Sequence, residues 1–194
     1  MADDDSESKD VEGSAIRVNL ASGSDAQKRL RTRLFRVLRR YGGLKEWLFT
    51  EEILIDDSEV PHSHPVLTLG TKGAGVRTDL GLLSAYIHEQ MHWHLSRHPA
   101  ELGRAMEDLK RVYPNVKLGR SEGGARDEES TYLHLPVCHF ETEALSSIFG
   151  RKRALDFILK KPYYHWIYRT VTSDYESIAK IIVNRGLSLR ALAS

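Results

Sequence analysis

The spacing of apolar positions predicts strands early in the chain and helices later. Short alternating or apolar runs, typical of half-buried or buried strands, lie at 16–20, 51–56 and 66–69. Apolar residues three and four positions apart predict helices at 26–41, 79–95, 101–112, 131–149 and 153–160, and a last helical region at 163–184. A few strands followed by helices indicate the α+β class.

The helix predicted at 79–95 contains a motif of the form HExxH, from His88 to His92. Residues four apart share one face of a helix, so His88 and His92 can present two imidazoles to one metal ion. Glu89 is turned by about 100° from His88. It is therefore placed to take a proton from a water molecule that the metal activates, which is the spacing that a zinc hydrolase needs.

This motif resembles the zincin metallopeptidases. The resemblance implies a Zn²⁺ ion on His88 and His92, with Glu89 as the general base. It also implies a single zincin-like domain over 15–194. In that domain a small sheet would pack on the helix that carries the motif, and the C-terminal half would be mostly helical.

A catalytic zinc site takes three protein ligands and leaves one position for water, so a third ligand is needed. One candidate, His98, lies six residues after His92. On a continuing helix His98 would point about 120° away from the metal face. Only a turn before Pro99 could bring it back.

The other two candidates lie on the helix predicted at 131–149. His134, Cys138 and Glu141 are spaced i, i+4 and i+7 and so share one face. His134 and Glu141 are about 10 Å apart along the axis, which is too far for both to bind one ion easily. Glu141 is favoured because a glutamate on a second helix downstream of HExxH resembles the gluzincin arrangement. His134 and His98 stay as alternatives.

Residues 65–170 resemble uncharacterised bacterial proteins that carry an HEQxHW motif. The similar segments are the motif itself, the stretch from Ser130 to Cys138, and the run Tyr164-His165-Trp166-Ile167-Tyr168. Those proteins have no assigned substrate, and this chain has no recognisable substrate-binding signature of the named gluzincins. The resemblance therefore leaves the substrate class open.

The function that these resemblances imply is a zinc-dependent metallopeptidase or related hydrolase that acts on a peptide or protein. Tyr164 and His134 are candidates to stabilise the oxyanion of the reaction. The strand predicted at 66–69 comes just before the motif helix. As in zincins, this strand could pair with an extended peptide.

The alternative is a non-enzymatic zinc-binding protein that contacts a partner or nucleic acid through a basic helix. The helix predicted at 26–41 carries seven Lys and Arg residues. No aromatic platform or base-reading motif accompanies them, so nucleic acid is not the expected partner. A Glu89→Gln substitution separates the two functions, because a structural zinc site has no need of that carboxylate.

Composition favours an ordinary globular protein in the cytoplasm. The net charge is +1, 41% of the residues are hydrophobic, and no apolar run approaches the roughly 18 residues of a membrane span. The single cysteine, Cys138, excludes an intramolecular disulfide. Residues 1–14 are acidic and nearly lack apolar side chains, which predicts a disordered tail and no signal peptide. None of these features predicts the oligomeric state.

Overall fold

A four-stranded sheet and eight helices make up the computed structural model of the chain, which describes residues 5–189. The strands are β1 (Ser6–Val11), β2 (Ser14–Leu20), β3 (Glu52–Asp56) and β4 (Leu67–Gly70). The helices are α1 (Asp25–Arg40), α2 (Asp79–Ser96), α3 (Pro99–Val112), α4 (Gly119–Glu122), α5 (Glu128–Phe149), α6 (Arg151–Ile158), α7 (His165–Ser173) and α8 (Tyr175–Asn184). Short 3₁₀ turns lie at Lys45–Trp47 and Ala74–Val76. The predicted α+β class is confirmed.

The chain divides into two compact units, and the boundary falls within α2. The first unit ends at Trp93 and holds the sheet, α1 and most of α2. The second unit begins at His94 and holds the remaining helices. No helix within residues 5–189 is long and apolar enough to cross a membrane. The single domain expected over 15–194 stays a prediction.

The sheet of the first unit has the strand order β1-β2-β3-β4. β1 is antiparallel to β2, whereas β2, β3 and β4 are parallel to one another. Parallel neighbours need a crossover connection, and α1 supplies it between β2 and β3. The apolar residues of β2, β3 and α1 form a buried core that includes Ile16, Val18, Ile53, Ile55, Leu34, Phe35 and Leu38. This core is the one that the strand alternation and the helical spacing predict.

Strand β1 lies within the acidic segment that the sequence predicts to be disordered. It pairs with β2 through a tight turn, in which Glu12 and Gly13 have φ of +53° and +87°. Glu7 of β1 pairs with the buried Arg31 at 3.0 Å, and the Glu12 carboxylate accepts two backbone hydrogen bonds at 2.6 and 2.8 Å. Strand pairing and these charged contacts therefore order a segment that buries little apolar surface. Residues 1–4 of the predicted tail lie outside the described residues.

The helices of the second unit follow the predicted spacing, with two differences. The region 113–127, predicted to be a loop, contains the four-residue helix α4. The last helical region is two helices, because Asp174 leaves the helical conformation at φ −111° and ψ 31° between α7 and α8. α5 continues through Pro136, although this residue has no backbone N–H to donate.

Gln90, the residue after Glu89 in the motif, ties α2 to the segment that leads into β3. Its Oε1 accepts hydrogen bonds from the N–H groups of Phe49 and Thr50 at 2.7 and 2.9 Å. Its Nε2 donates to the Thr50 carbonyl and to the Tyr86 hydroxyl, both at 2.9 Å. The three contacts to Phe49 and Thr50 fix α2 against the chain that enters the sheet, and the Tyr86 hydroxyl orients the Gln90 amide from within α2.

We expect Gln90→Leu to destabilise the protein although Leu fills a similar volume. The substitution leaves two N–H groups and one carbonyl without their partner, and the expected loss in the free energy of unfolding is about 2–4 kcal/mol. Urea denaturation measures it. Tyr86→Phe is the matched control, because it removes a single hydroxyl and should cost about 1 kcal/mol. A loss for Gln90→Leu no larger than that for the control would contradict this role.

His139 of α5 is a buried, neutral histidine. The residue is 3% exposed, and its ring lies on that of Tyr175 with 4.5 Å between the centroids. Its Nδ1 has no hydrogen-bond partner among the described residues. Burial lowers the pKa of His139 to about 4. The folded protein therefore resists protonation of this ring.

The free energy of unfolding should fall as the pH drops below about 6.5, because the unfolded chain then takes up a proton that folded His139 does not accept. The stability that neutral His139 contributes is fully present above about pH 6.5. It is lost as the pH falls to the pKa of His139 in the folded protein, about 4. The loss from this group is about 3 kcal/mol. Urea denaturation of wild type and His139→Leu across this pH range tests it. The variant should lose less stability than wild type, and an identical pH dependence would refute the prediction.

Candidate metal centre

The motif residues of the first unit lie on α2, a helix that is buried along most of its length. Its first turn is held by the Thr78 hydroxyl, which accepts from the Gly81 N–H at 3.0 Å, and by an ion pair of Arg33 with Asp79 at 2.7 Å. Every residue from 81 to 90 is buried. The polar side chains in this stretch are therefore shielded from solvent.

The two motif histidines lie one turn apart on α2, as their spacing predicts. Their ring centroids are 5.2 Å apart, and the ring planes meet at 67°. His88 is 8% exposed and His92 is half-buried. Glu89 is also buried, at 6% exposure. α2 thus holds two imidazoles and one carboxylate in a shielded place.

The loop before β4 is fixed on Trp93, the last residue of the HEQxHW run. The indole Nε1 donates to the carbonyl of Ser63 at 2.8 Å, and the His64 ring stacks on the indole with 4.3 Å between the centroids. His62 pairs with Thr68 of β4 through two backbone hydrogen bonds, at 3.1 and 2.8 Å. The outer edge of β4 is therefore closed at Thr68. This closure limits the expected pairing of β4 with an extended peptide.

In the second unit, α5 brings the other candidate ligands to one buried face. Asp127 caps the start of the helix with a carboxylate that accepts a backbone hydrogen bond at 2.7 Å, and Gly150, which has φ +80°, follows its last residue. His134, Cys138 and Glu141 are 7%, 0% and 0% exposed. The face that the sequence spacing predicts is thus present and buried.

The orientation of the His134 ring is set by a hydrogen bond within α5. Its Nδ1 lies 2.6 Å from the carbonyl oxygen of Ser130. A carbonyl only accepts, so Nδ1 carries a proton, and in the neutral ring the lone pair that a metal ligand needs is on Nε2. The Tyr164 ring packs on the imidazole with 4.5 Å between the centroids. His134 is therefore prepared to bind a metal ion through Nε2.

Tyr164, a candidate from the sequence to stabilise the oxyanion, has a left-handed backbone conformation at the start of α7. Its φ is +55° and its ψ is 32°. A residue other than glycine adopts this conformation at a cost of about 1–3 kcal/mol. It persists only where the surrounding structure imposes it, and such residues are common at functional sites. The strained backbone places the phenol ring beside His134.

Glu141, the third ligand that the sequence favours, is engaged with two other buried side chains. Its Oε1 forms an ion pair with Lys161 Nζ, and its Oε2 accepts from the Tyr168 hydroxyl at 2.6 Å. Lys161 also donates to the Tyr168 hydroxyl at 2.8 Å. Burial lowers the pKa of Lys161, but the Glu141 carboxylate together with Tyr163 and Cys138 outweighs burial, so the pKa is raised. Lys161 is therefore charged, and Glu141 is its counterion.

Two groups of three side chains among the described residues could bind a metal ion. The first consists of His88, His92 and His134, and the second of His88, Cys138 and Glu141. His134 and Glu141 fall in different groups, in keeping with their predicted separation along α5. The set favoured from the sequence, in which Glu141 joins both motif histidines, is neither of these groups.

His98 belongs to neither group. It lies between α2 and α3 at φ −127° and ψ 55°, with its ring centroid 5.2 Å from that of His94. The Nε2 of His94 is 3.1 Å from the carbonyl of Leu187, and burial lowers the pKa of His94. The structure therefore places His98 beside a buried structural histidine.

Sequence reasoning missed Lys161 and Tyr168, which determine the surroundings of Glu141. They lie 20 and 27 residues beyond Glu141, so no helical spacing connects them to it. The only local signal is a lysine in a stretch rich in aromatic residues, and a lysine is rarely buried. Their role becomes visible only in the folded unit.

Comparisons of the chain with protein-family models, with curated proteins and with solved structures found no match. The resemblance to zincins therefore stays a prediction, and it rests on the residues of the HExxH motif.

Proposed function

We propose that this chain is a zinc-dependent hydrolase of the metallopeptidase type, with His88, His92 and His134 as the protein ligands. The observation that carries the proposal is the group of three histidines that contains both motif imidazoles. Catalytic zinc sites can consist of three imidazole ligands with the fourth position open to water or substrate. Imidazole nitrogen also suits zinc better than magnesium or calcium, which prefer oxygen.

The proposal replaces Glu141 by His134 as the third ligand. The Nδ1 of His134 contacts the Ser130 carbonyl at 2.6 Å, which places the lone pair of the neutral ring on Nε2. A hydrogen bond of this kind fixes the tautomer and orientation of metal-binding histidines. Both carboxylate oxygens of Glu141, in contrast, have strong partners in Lys161 and Tyr168.

His88, His92 and His134 would hold the zinc ion, which would supply a lowered pKa of its bound water and polarisation of a substrate carbonyl. Glu89 accepts the proton from the attacking water and delivers it to the leaving amine. Its place next to His88, turned by about 100° on the helix, keeps it off the ligand face. Tyr164 donates a hydrogen bond to the oxyanion, since its ring lies against His134.

The substrate in this proposal is a peptide or protein, as the resemblance of the motif implies. Because β4 is closed at Thr68 by His62, the substrate does not pair with the strand at that residue unless the loop moves. A cytoplasmic location fits the single cysteine, Cys138, which is buried and has no second thiol with which to form a disulfide.

The non-enzymatic alternative shares the metal site and differs in the basic helix α1. Several cations of α1 are engaged within the first unit. Arg31 pairs with Glu7 at 3.0 Å, and Arg33 and Arg36 pair with Asp79 at 2.7 and 3.2 Å. These pairs reduce the charge that α1 offers to a partner, so the hydrolase is the function we favour.

We expect one zinc ion per chain and a loss of zinc affinity of at least about 100-fold in His134→Ala, comparable to the loss in His88→Ala, since each removes one ligand. Elemental analysis after dialysis against a weak chelator measures zinc retention. His98→Ala is the matched control and should retain zinc like wild type. Retention by His134→Ala together with loss by Glu141→Gln would restore Glu141 as the ligand.

We expect Glu89→Gln to keep the zinc and the fold but to reduce kcat about 10²–10⁴-fold, because the amide does not accept a proton at neutral pH. Chelator-sensitive cleavage of unstructured proteins and peptides is the assay, with zinc content and thermal midpoint measured on the same samples. Undiminished chelator-sensitive cleavage by Glu89→Gln would exclude the proposed role of this carboxylate.

A further inference from the structure

The two metal-binding groups are alternatives, because they share His88. A ring nitrogen of His88 binds one metal ion at a time, so through that nitrogen His88 serves either the two other histidines or the pair of Cys138 and Glu141. Zinc accepts thiolate and carboxylate ligands as readily as imidazole. The chemistry of the ligands alone therefore does not decide which group is used.

A fixed positive charge lies beside Glu141. The Lys161 side chain is 4% exposed and the Glu141 side chain 0% exposed, and the two form an ion pair. The Tyr168 hydroxyl contacts both partners, at 2.8 Å from Lys161 Nζ and 2.6 Å from Glu141 Oε2. Neither carboxylate oxygen is therefore left without a charged or hydroxyl partner.

Cys138 belongs to the same cluster. It lies three residues before Glu141 on α5 and is fully buried. After burial, which is the largest influence on both pKa values, Cys138 is among the groups that raise the pKa of Lys161 and of Tyr168. The Lys161 ammonium thus lies among a carboxylate, a thiol and a phenol, which are groups that would otherwise suit a cation.

We propose that Lys161 selects the ligands of the metal ion, by holding Glu141 as its counterion and so directing zinc to His88, His92 and His134. Transfer of Glu141 to a metal ion would leave a buried ammonium without its partner, which is strongly unfavourable. Lys161 is a positioning residue in this role and touches no substrate. The inference rests on the metal site of the proposed function, but not on hydrolysis.

Cobalt(II) loading of the whole chain tests the proposal, because a cobalt–thiolate bond gives a charge-transfer band in the near ultraviolet that imidazole ligands do not give. Wild type should bind cobalt without this band. Lys161→Met removes the charge and keeps much of the apolar stem, and it should gain the band. Cys138→Ser in the Lys161→Met background should lose it again.

Tyr168→Phe is the matched control, because it keeps the ion pair and should retain the wild-type spectrum. Lys161→Gln gives the same comparison should Lys161→Met fail to fold, since its amide is neutral and still donates to the carboxylate. A thiolate band in wild type, or an unchanged spectrum in a folded Lys161 variant, would overturn the inference. Failure of the proposed metal site is distinguishable, because wild type and His88→Ala/His92→Ala would then bind equal amounts of cobalt.

Discussion

The buried ion pair between Lys161 and Glu141 constrains the arrangement of the second unit. Removing two charges from water is costly, and such a pair is tolerated only where further hydrogen bonds satisfy both partners. The Tyr168 hydroxyl supplies them by donating to the carboxylate and accepting from the ammonium. The pair thereby joins α5, the segment after α6, and α7. The same segment carries Tyr164, whose ring packs on His134.

The motif residues of the first unit fall into two sets. Gln90 and Trp93 hold neighbouring segments in place, whereas His88 and Glu89 are candidate site residues. Gln90 holds α2 against Phe49 and Thr50 through three hydrogen bonds, and a fourth, to Tyr86, lies within α2. Trp93 holds the loop that closes the edge of β4. This support leaves His88 and Glu89 on a helix whose position is fixed by other residues. A rigid element of this kind is what a metal site with defined geometry needs.

The parts of the fold that depend on local periodicity were predictable from the sequence. The α+β class and the helices α1, α2 and α5 follow from apolar spacing within each segment. β1 was not predictable from composition, because its order comes from pairing with β2 and from Glu7 and Glu12 finding partners elsewhere in the unit. The separation of His134 from Glu141 followed from helix geometry. The choice that we propose between them did not, because it rests on the partner of Glu141, Lys161, which lies 20 residues beyond it and outside any helical repeat.

The most direct measurement of the central claim is X-ray absorption at the zinc edge of the wild-type protein. Three histidine ligands predict nitrogen donors at about 2.0–2.1 Å, with the outer-shell scattering of imidazole rings and no sulfur. A sulfur donor at about 2.3 Å would place Cys138 on the metal and contradict the assignment of zinc to His88, His92 and His134.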